Sequence, residues 1–239
     1  MAHLTRRKLM TATVTGVGAG LASASLFGKT LSPQAELARP HNHDYKFQNI
    51  SPRELIRQRH LPNVRLVTMD GKNVRFYDDL VKDRKVVIQF LFTRCREACP
   101  IITHHLAEVQ RLLGGRVGRD IFFISITLSP EEDGPKQLKA FAREHGAGKG
   151  WTFCTGKPGD ILLLRRSLGF TYENPKEDAD RNNHTGMLLV GDEPLCRWAS
   201  AEGGALPTWI ATMIRTEADA PFMGAVNGVR LTDPTIHTN

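Results

Sequence analysis

Eight consecutive residues, Lys85-Val86-Val87-Ile88-Gln89-Phe90-Leu91-Phe92, carry only two polar side chains. Such a run suits a strand buried on both faces, and that burial needs helices above and below the sheet. The next segment supplies one: Pro100 opens a stretch in which Ile102, Leu106, Val109 and Leu113 recur at helical spacing, and Gly114-Gly115 closes it. The pattern then repeats, predicting a strand over Ile121–Thr127, a helix over Pro135–Glu144, a strand over 151–154 and a helix over 158–168. Strands alternating with helices imply a mostly parallel sheet with right-handed crossovers.

Two hairpins frame this centre. Val64-Arg65-Leu66-Val67-Thr68 and Val74-Arg75-Phe76 flank Asp70-Gly71, a turn signal between two β-type runs. Later, Gly186-Met187-Leu188-Leu189-Val190 and Leu195-Cys196-Arg197-Trp198 flank the turn Gly191-Asp192-Glu193-Pro194, and a helix over 207–215 follows. The chain therefore reads as α/β with a thioredoxin-like fold, a mixed sheet flanked by helices with N-terminal and late β-hairpins. That domain is expected over residues 61–217. Residues 28–60, interrupted by Pro33, Pro40 and Pro52, read as a linker or surface arm, and 218–239 as a patternless tail. With 239 residues, 41% of them hydrophobic, the chain has material for one such core.

Residues 1–27 differ from the rest. Thr5-Arg6-Arg7-Lys8-Leu9 precedes a weakly apolar stretch over 10–27 rich in Gly, Ala, Thr and Ser, with Ala22-Ser23-Ala24 as a small-residue cleavage site. This is an export signal, and the paired arginines resemble a twin-arginine signal. The alternative is an uncleaved membrane anchor, because the stretch approaches the ~18 residues that span a bilayer. Both put the globular part outside the cytoplasm. Of the formal net charge of +7, three charges belong to Arg6, Arg7 and Lys8, so removing residues 1–24 leaves +4. Elsewhere arginines alternate with acids, which is a solvated surface and not a nucleic-acid-binding face.

Four cysteines, Cys95, Cys99, Cys154 and Cys196, are too few for a disulfide scaffold in a domain of this length. Cys95 and Cys99 fall in the turn between the buried strand and the helix that Pro100 opens. There they face unpaired backbone N–H groups and the positive end of the helix dipole, which favour thiolate, the reactive and metal-binding form. Three intervening residues still allow the Cα separation of ~4.4 to 6.8 Å that a disulfide requires. Cys154, in an apolar strand, and Cys196, beside Trp198, read as small buried hydrophobes, with a disulfide between them conceivable. His104 and His105 lie one turn beyond Cys99 and read as surface or capping residues; His41 and His43 belong to the arm.

Phe92-Thr93-Arg94-Cys95 through Cys99-Pro100, followed much later by Asn183-His184-Thr185-Gly186-Met187-Leu188-Leu189-Val190-Gly191-Asp192, resembles the Sco/SenC copper-assembly proteins. The likeness runs more loosely from about Val64 to Ile214 and includes Phe123-Ile124-Ser125-Ile126 and Glu132-Asp133-Gly134-Pro135. Arg96-Glu97, Asn183 and Ser129 depart from the family pattern. The resemblance implies a copper site made of Cys95, Cys99 and His184. Two soft thiolates and an imidazole suit copper, whereas structural zinc normally takes four protein ligands and no clear fourth is visible. It further implies a metallochaperone that serves a copper-receiving subunit of cytochrome c oxidase, or keeps that subunit's cysteines reduced. The other reading is an exported thiol-disulfide oxidoreductase in which Cys95 attacks and Cys99 resolves, acting on a thiol-disulfide partner without metal.

Overall fold

In the computed structural model, residues 50–96, 98–179 and 186–219 are described. The expected export signal, most of the arm with His41 and His43, His184 and the tail beyond 219 lie outside them. Seven strands form one sheet in the order β2-β1-β5-β4-β3-β6-β7. These are β1 (Arg65–Thr68), β2 (Asn73–Arg75), β3 (Lys85–Leu91), β4 (Ile121–Thr127), β5 (Trp151–Gly156), β6 (Met187–Asp192) and β7 (Arg197–Glu202). The central strands β3, β4 and β5 are parallel, and the flanking β1 and β6 join them antiparallel. The result is the thioredoxin-like mixed sheet with a hairpin at each edge.

Because β3 is buried on both sides from Val86 to Leu91, alternate residues feed two cores. On one face Val87, Leu91, Phe123 and Phe153 pack under helices α2 (Ala98–Leu113), α3 (Pro135–Glu144) and α6 (Pro207–Asp219). On the other, Val86, Ile88, Phe90, Ile124 and Ile126 meet α4 (Pro158–Ser167) and a π-helical turn over Phe76–Val81. Between the two layers the Ser125 hydroxyl accepts Gln89 Nε2 and Trp151 Nε1, each at 2.8 Å.

The stretch expected as an arm ends in a nine-residue helix, α1 (Pro52–His60), and a short α5 (Pro175–Ala179) precedes the late hairpin. Helix α1 buries none of its residues, so no apolar stripe announced it. It is capped by Ser51, whose hydroxyl accepts the Glu54 N–H at 3.2 Å, and held ionically through Arg53. Among the described residues no helix is long and apolar enough to cross a membrane.

The late hairpin turns two residues later than expected. Cys196 is not in the second strand but in the turn, with φ 57°, its N–H donating to Glu193 O at 3.1 Å, and β7 starts at Arg197. The register explains the shift: Gly191 pairs with Trp198, and the Trp198 ring covers the space that a Cβ on Gly191 would occupy, 2.3 Å from the nearest ring carbon.

The conceivable Cys154–Cys196 disulfide does not form. Both are free thiols, and Cys154 lies on β5, four strand positions from β7. At ~4.8 Å per strand that separation is roughly 19 Å, far beyond disulfide reach.

Candidate metal centre

Helix α2 begins at Ala98, two residues earlier than Pro100 suggested, so Cys99 sits in its first turn and Cys95 alone remains in the loop. Pro100 is tolerated there because first-turn N–H groups have no partner within the helix. Cys95 stands in for a cap: its Sγ accepts the Cys99 N–H at 3.4 Å, and its own N–H donates to Phe92 O at 3.2 Å. The two side chains thus meet at the end of β3, both buried, Cys95 at 7% exposure and Cys99 at 1%.

The expected preference for thiolate does not hold at Cys99. Burial pushes its thiol well above the ordinary range, the Cys95 sulfur and the Asp133 carboxylate add to the rise, and a hydrogen bond from the Phe92 backbone opposes it. A helix start favours anions only while water or donors reach them, and at 1% exposure desolvation wins. A cation arriving between the sulfurs would have to displace that proton.

Helices α2 and α6 run parallel. Arg215 of α6 donates to Leu112 O near the end of α2, and Arg116, just past α2, bridges Asp219 at 2.8 Å. Their first turns therefore lie side by side at the end of the sheet where β3 delivers the cysteine loop. The antiparallel register of β6 with β3, from Gln89↔Leu188 to Lys85↔Asp192, brings the chain into β6 at this same end. There Gly186, at φ 58°, faces Ile102 of α2, whose Cδ1 lies 3.6 Å from where a Cβ would stand. The Gly203 N–H donates to Gly186 O at 2.8 Å. His184 is two residues before Gly186 in the chain, a span of at most ~7.6 Å between Cα atoms.

His104 is exposed, as a surface histidine should be, and His105 is half-buried; both lie along α2 beyond the cysteines. Among the described residues no group of three His, Cys, Asp or Glu side chains is arranged to hold a metal ion. Thr93, Thr127 and Asp133 carry a network beneath the cysteine loop that the sequence did not announce as part of the site. An acid directly before Gly-Pro at a helix start reads as a solvated cap, and only the fold shows Asp133 at 1% exposure.

A thioredoxin-like α/β domain with two cysteines at the start of its first crossover helix, next to the entry of the late hairpin, defines a dithiol protein. Residues 56–197 match the SCO1/SenC family, and the chain belongs to it. It is 38% identical over 127 residues to the SCO1 protein homolog of Bacillus subtilis, covering 52% of this chain and 64% of that protein. It is 30% identical over 145 residues to a candidate copper-binding protein of Stutzerimonas stutzeri, covering 58% of this chain and 68% of the other. Among solved structures, Arabidopsis thaliana ScoI with copper bound superposes with a TM-score of 0.54 at 21% identity, over 66% of this chain and 96% of that one. BsSco, a member of the Sco family of cytochrome c oxidase assembly proteins with a disulfide switch, superposes at 0.54 and 23%, over 68% and 95%.

Proposed function

We propose that this protein carries copper as cargo, held by Cys95, Cys99 and His184, and delivers it to a copper-receiving subunit of cytochrome c oxidase. The observation that carries the reading is the meeting of Cys95 Sγ with the first turn of α2 at Cys99, a buried pair of soft donors. Soft sulfur selects copper(I), and a single imidazole completes a three-coordinate site. Membership in the SCO1/SenC family and the copper-binding relative support the same cargo. The paired arginines at Arg6 and Arg7 support delivery outside the cytoplasm, either as a free domain or on an N-terminal anchor.

The test is to reduce the whole chain, add copper(I) and count the metal bound. One ion per chain is expected, with loss of at least tenfold in affinity on replacing either cysteine by Ser or His184 by Ala. Unchanged affinity in His184→Ala removes the histidine from the site.

The same contact between Cys95 and Cys99 also suits reversible disulfide formation, which favours thiol-disulfide exchange as the second reading. Many turnovers of a disulfide substrate in metal-free buffer would establish it. A stoichiometric burst that stops after one exchange would exclude it.

A further inference from the structure

Asp133 lies at 1% exposure, and among the described residues the groups bonded to it are neutral donors. Its carboxylate accepts the Thr93 N–H at 3.0 Å, the Thr93 hydroxyl at 2.5 Å and the Thr127 hydroxyl at 2.7 Å. Thr127 Oγ1 in turn accepts the Ser129 N–H at 2.9 Å. The neighbouring Arg94 turns instead to Glu132, at 3.4 Å, and among the described residues no basic side chain forms an ion pair with Asp133. Burying a carboxylate without a cation is costly, and the fold bears that cost at a carboxylate bonded to Thr93, two residues before Cys95.

These bonds hold the Phe92–Thr93 peptide, and Phe92 is the residue whose backbone meets both cysteines. Its carbonyl accepts the Cys95 N–H at 3.2 Å, and its backbone hydrogen-bonds the Cys99 sulfur. Loosening Asp133 would free the carbonyl that holds the Cys95 N–H and, one bond back along Phe92, the backbone that reaches the Cys99 sulfur.

We infer that Asp133 is the positioning residue of the dithiol, and that its uncompensated charge biases a copper cargo towards the doubly charged ion. The second half rests on the cargo reading above; the first does not. Two thiolates with copper(I) form a singly negative centre, and with copper(II) a neutral one. A fixed negative charge nearby therefore favours copper(II), and one unit charge in a partly desolvated site shifts relative affinity about tenfold.

The experiment compares the whole reduced chain as wild type, Asp133→Asn, Asp133→Ser and Thr93→Val. The aspartate variants remove the charge, whereas Thr93→Val keeps it and removes one hydroxyl bond. Melting curves establish that each variant is folded, and two charge-free variants guard against one of them failing.

Without metal, equilibration against glutathione reads the dithiol directly. The network fixes the Phe92 carbonyl that holds the Cys95 backbone while the two sulfurs stand unjoined, so Thr93→Val and the aspartate variants should move the equilibrium several-fold towards the disulfide. With copper, the charge-free variants should raise affinity for copper(I) relative to copper(II) about tenfold. Thr93→Val should keep that ratio within twofold of wild type.

An unchanged glutathione equilibrium in the folded variants overturns the positioning role. An unchanged affinity ratio overturns the charge bias. A wild-type chain that takes up neither ion sinks the cargo reading and the bias together, while the metal-free arm still decides the positioning role.

Discussion

Glu193 shows how a single side chain can anchor a distant segment. It is 2% exposed and takes Arg53 Nε at 2.7 Å and Nη2 at 2.5 Å, the Tyr77 hydroxyl at 2.9 Å and the Asp83 N–H at 2.8 Å. Burial alone would push its carboxyl up, but the bonds from Arg53, Asp83 and Tyr77 outweigh burial and hold it below the usual carboxylate range. A depressed carboxyl stabilises the fold above its unfolded pKa, and the contribution disappears as pH falls through the folded value. Arg53→Met should therefore cost about 2 kcal/mol at pH 7, reduced by the 36% exposure of the arginine side chain. Near pH 3 the cost should shrink, and urea unfolding at the two pH values checks it. Cys154 makes the opposite case, a thiol that burial pushes up to about 12. In the native chain at pH 8 it should resist iodoacetamide while the half-buried Cys196 is modified, as peptide mass mapping would show.

Elements with their own periodicity were legible in the sequence. The strand Ile121–Thr127 and the helix Pro135–Glu144 have the expected bounds, because a buried run and a Pro-initiated amphipathic segment each state their own limits. Elements made by distant partners were not. Helix α1 has a local start signal in Ser51-Pro52-Arg53-Glu54 but no buried stripe, and Glu193 ties it down, while the start of α2 is set by the Cys95 sulfur. The late turn depends on Trp198 lying over Gly191, a contact between strands. Gly191→Ala should force that ring aside at about 1 to 3 kcal/mol, read as a lowered melting temperature and altered tryptophan fluorescence. Of the site, the two cysteines and their helix were visible, whereas the aspartate beneath them was hidden by a motif that usually faces water.

At the scale of the molecule, sheet order separates what the chain's cysteine count leaves ambiguous. Cys95 and Cys99 share one end of β3 and α2, while Cys154 and Cys196 are divided by the width of four strands. Mild oxidation of the native chain should join Cys95 to Cys99 and leave the other two as thiols. Disulfide mapping that recovers a Cys154–Cys196 peptide would contradict the strand order itself. The parallel pairing of α2 with α6 is what places the site at a chain-rich edge. A variant lacking the Arg116–Asp219 bridge, such as Arg116→Met, should loosen the far ends of these helices at about 1 kcal/mol or less, because Asp219 is 55% exposed.

Ile102 is seated against both Gly186 and Gly203, three residues along the helix from Cys99. A Cβ on Gly203 would stand 2.7 Å from Ile102 and one on Gly186 would rest on it at 3.6 Å, so the lips of the outer hairpin and the dithiol helix close on each other without a covalent tie. A Gly203→Ala variant should therefore lower the melting temperature by wedging the hairpin away from the helix that carries Cys99.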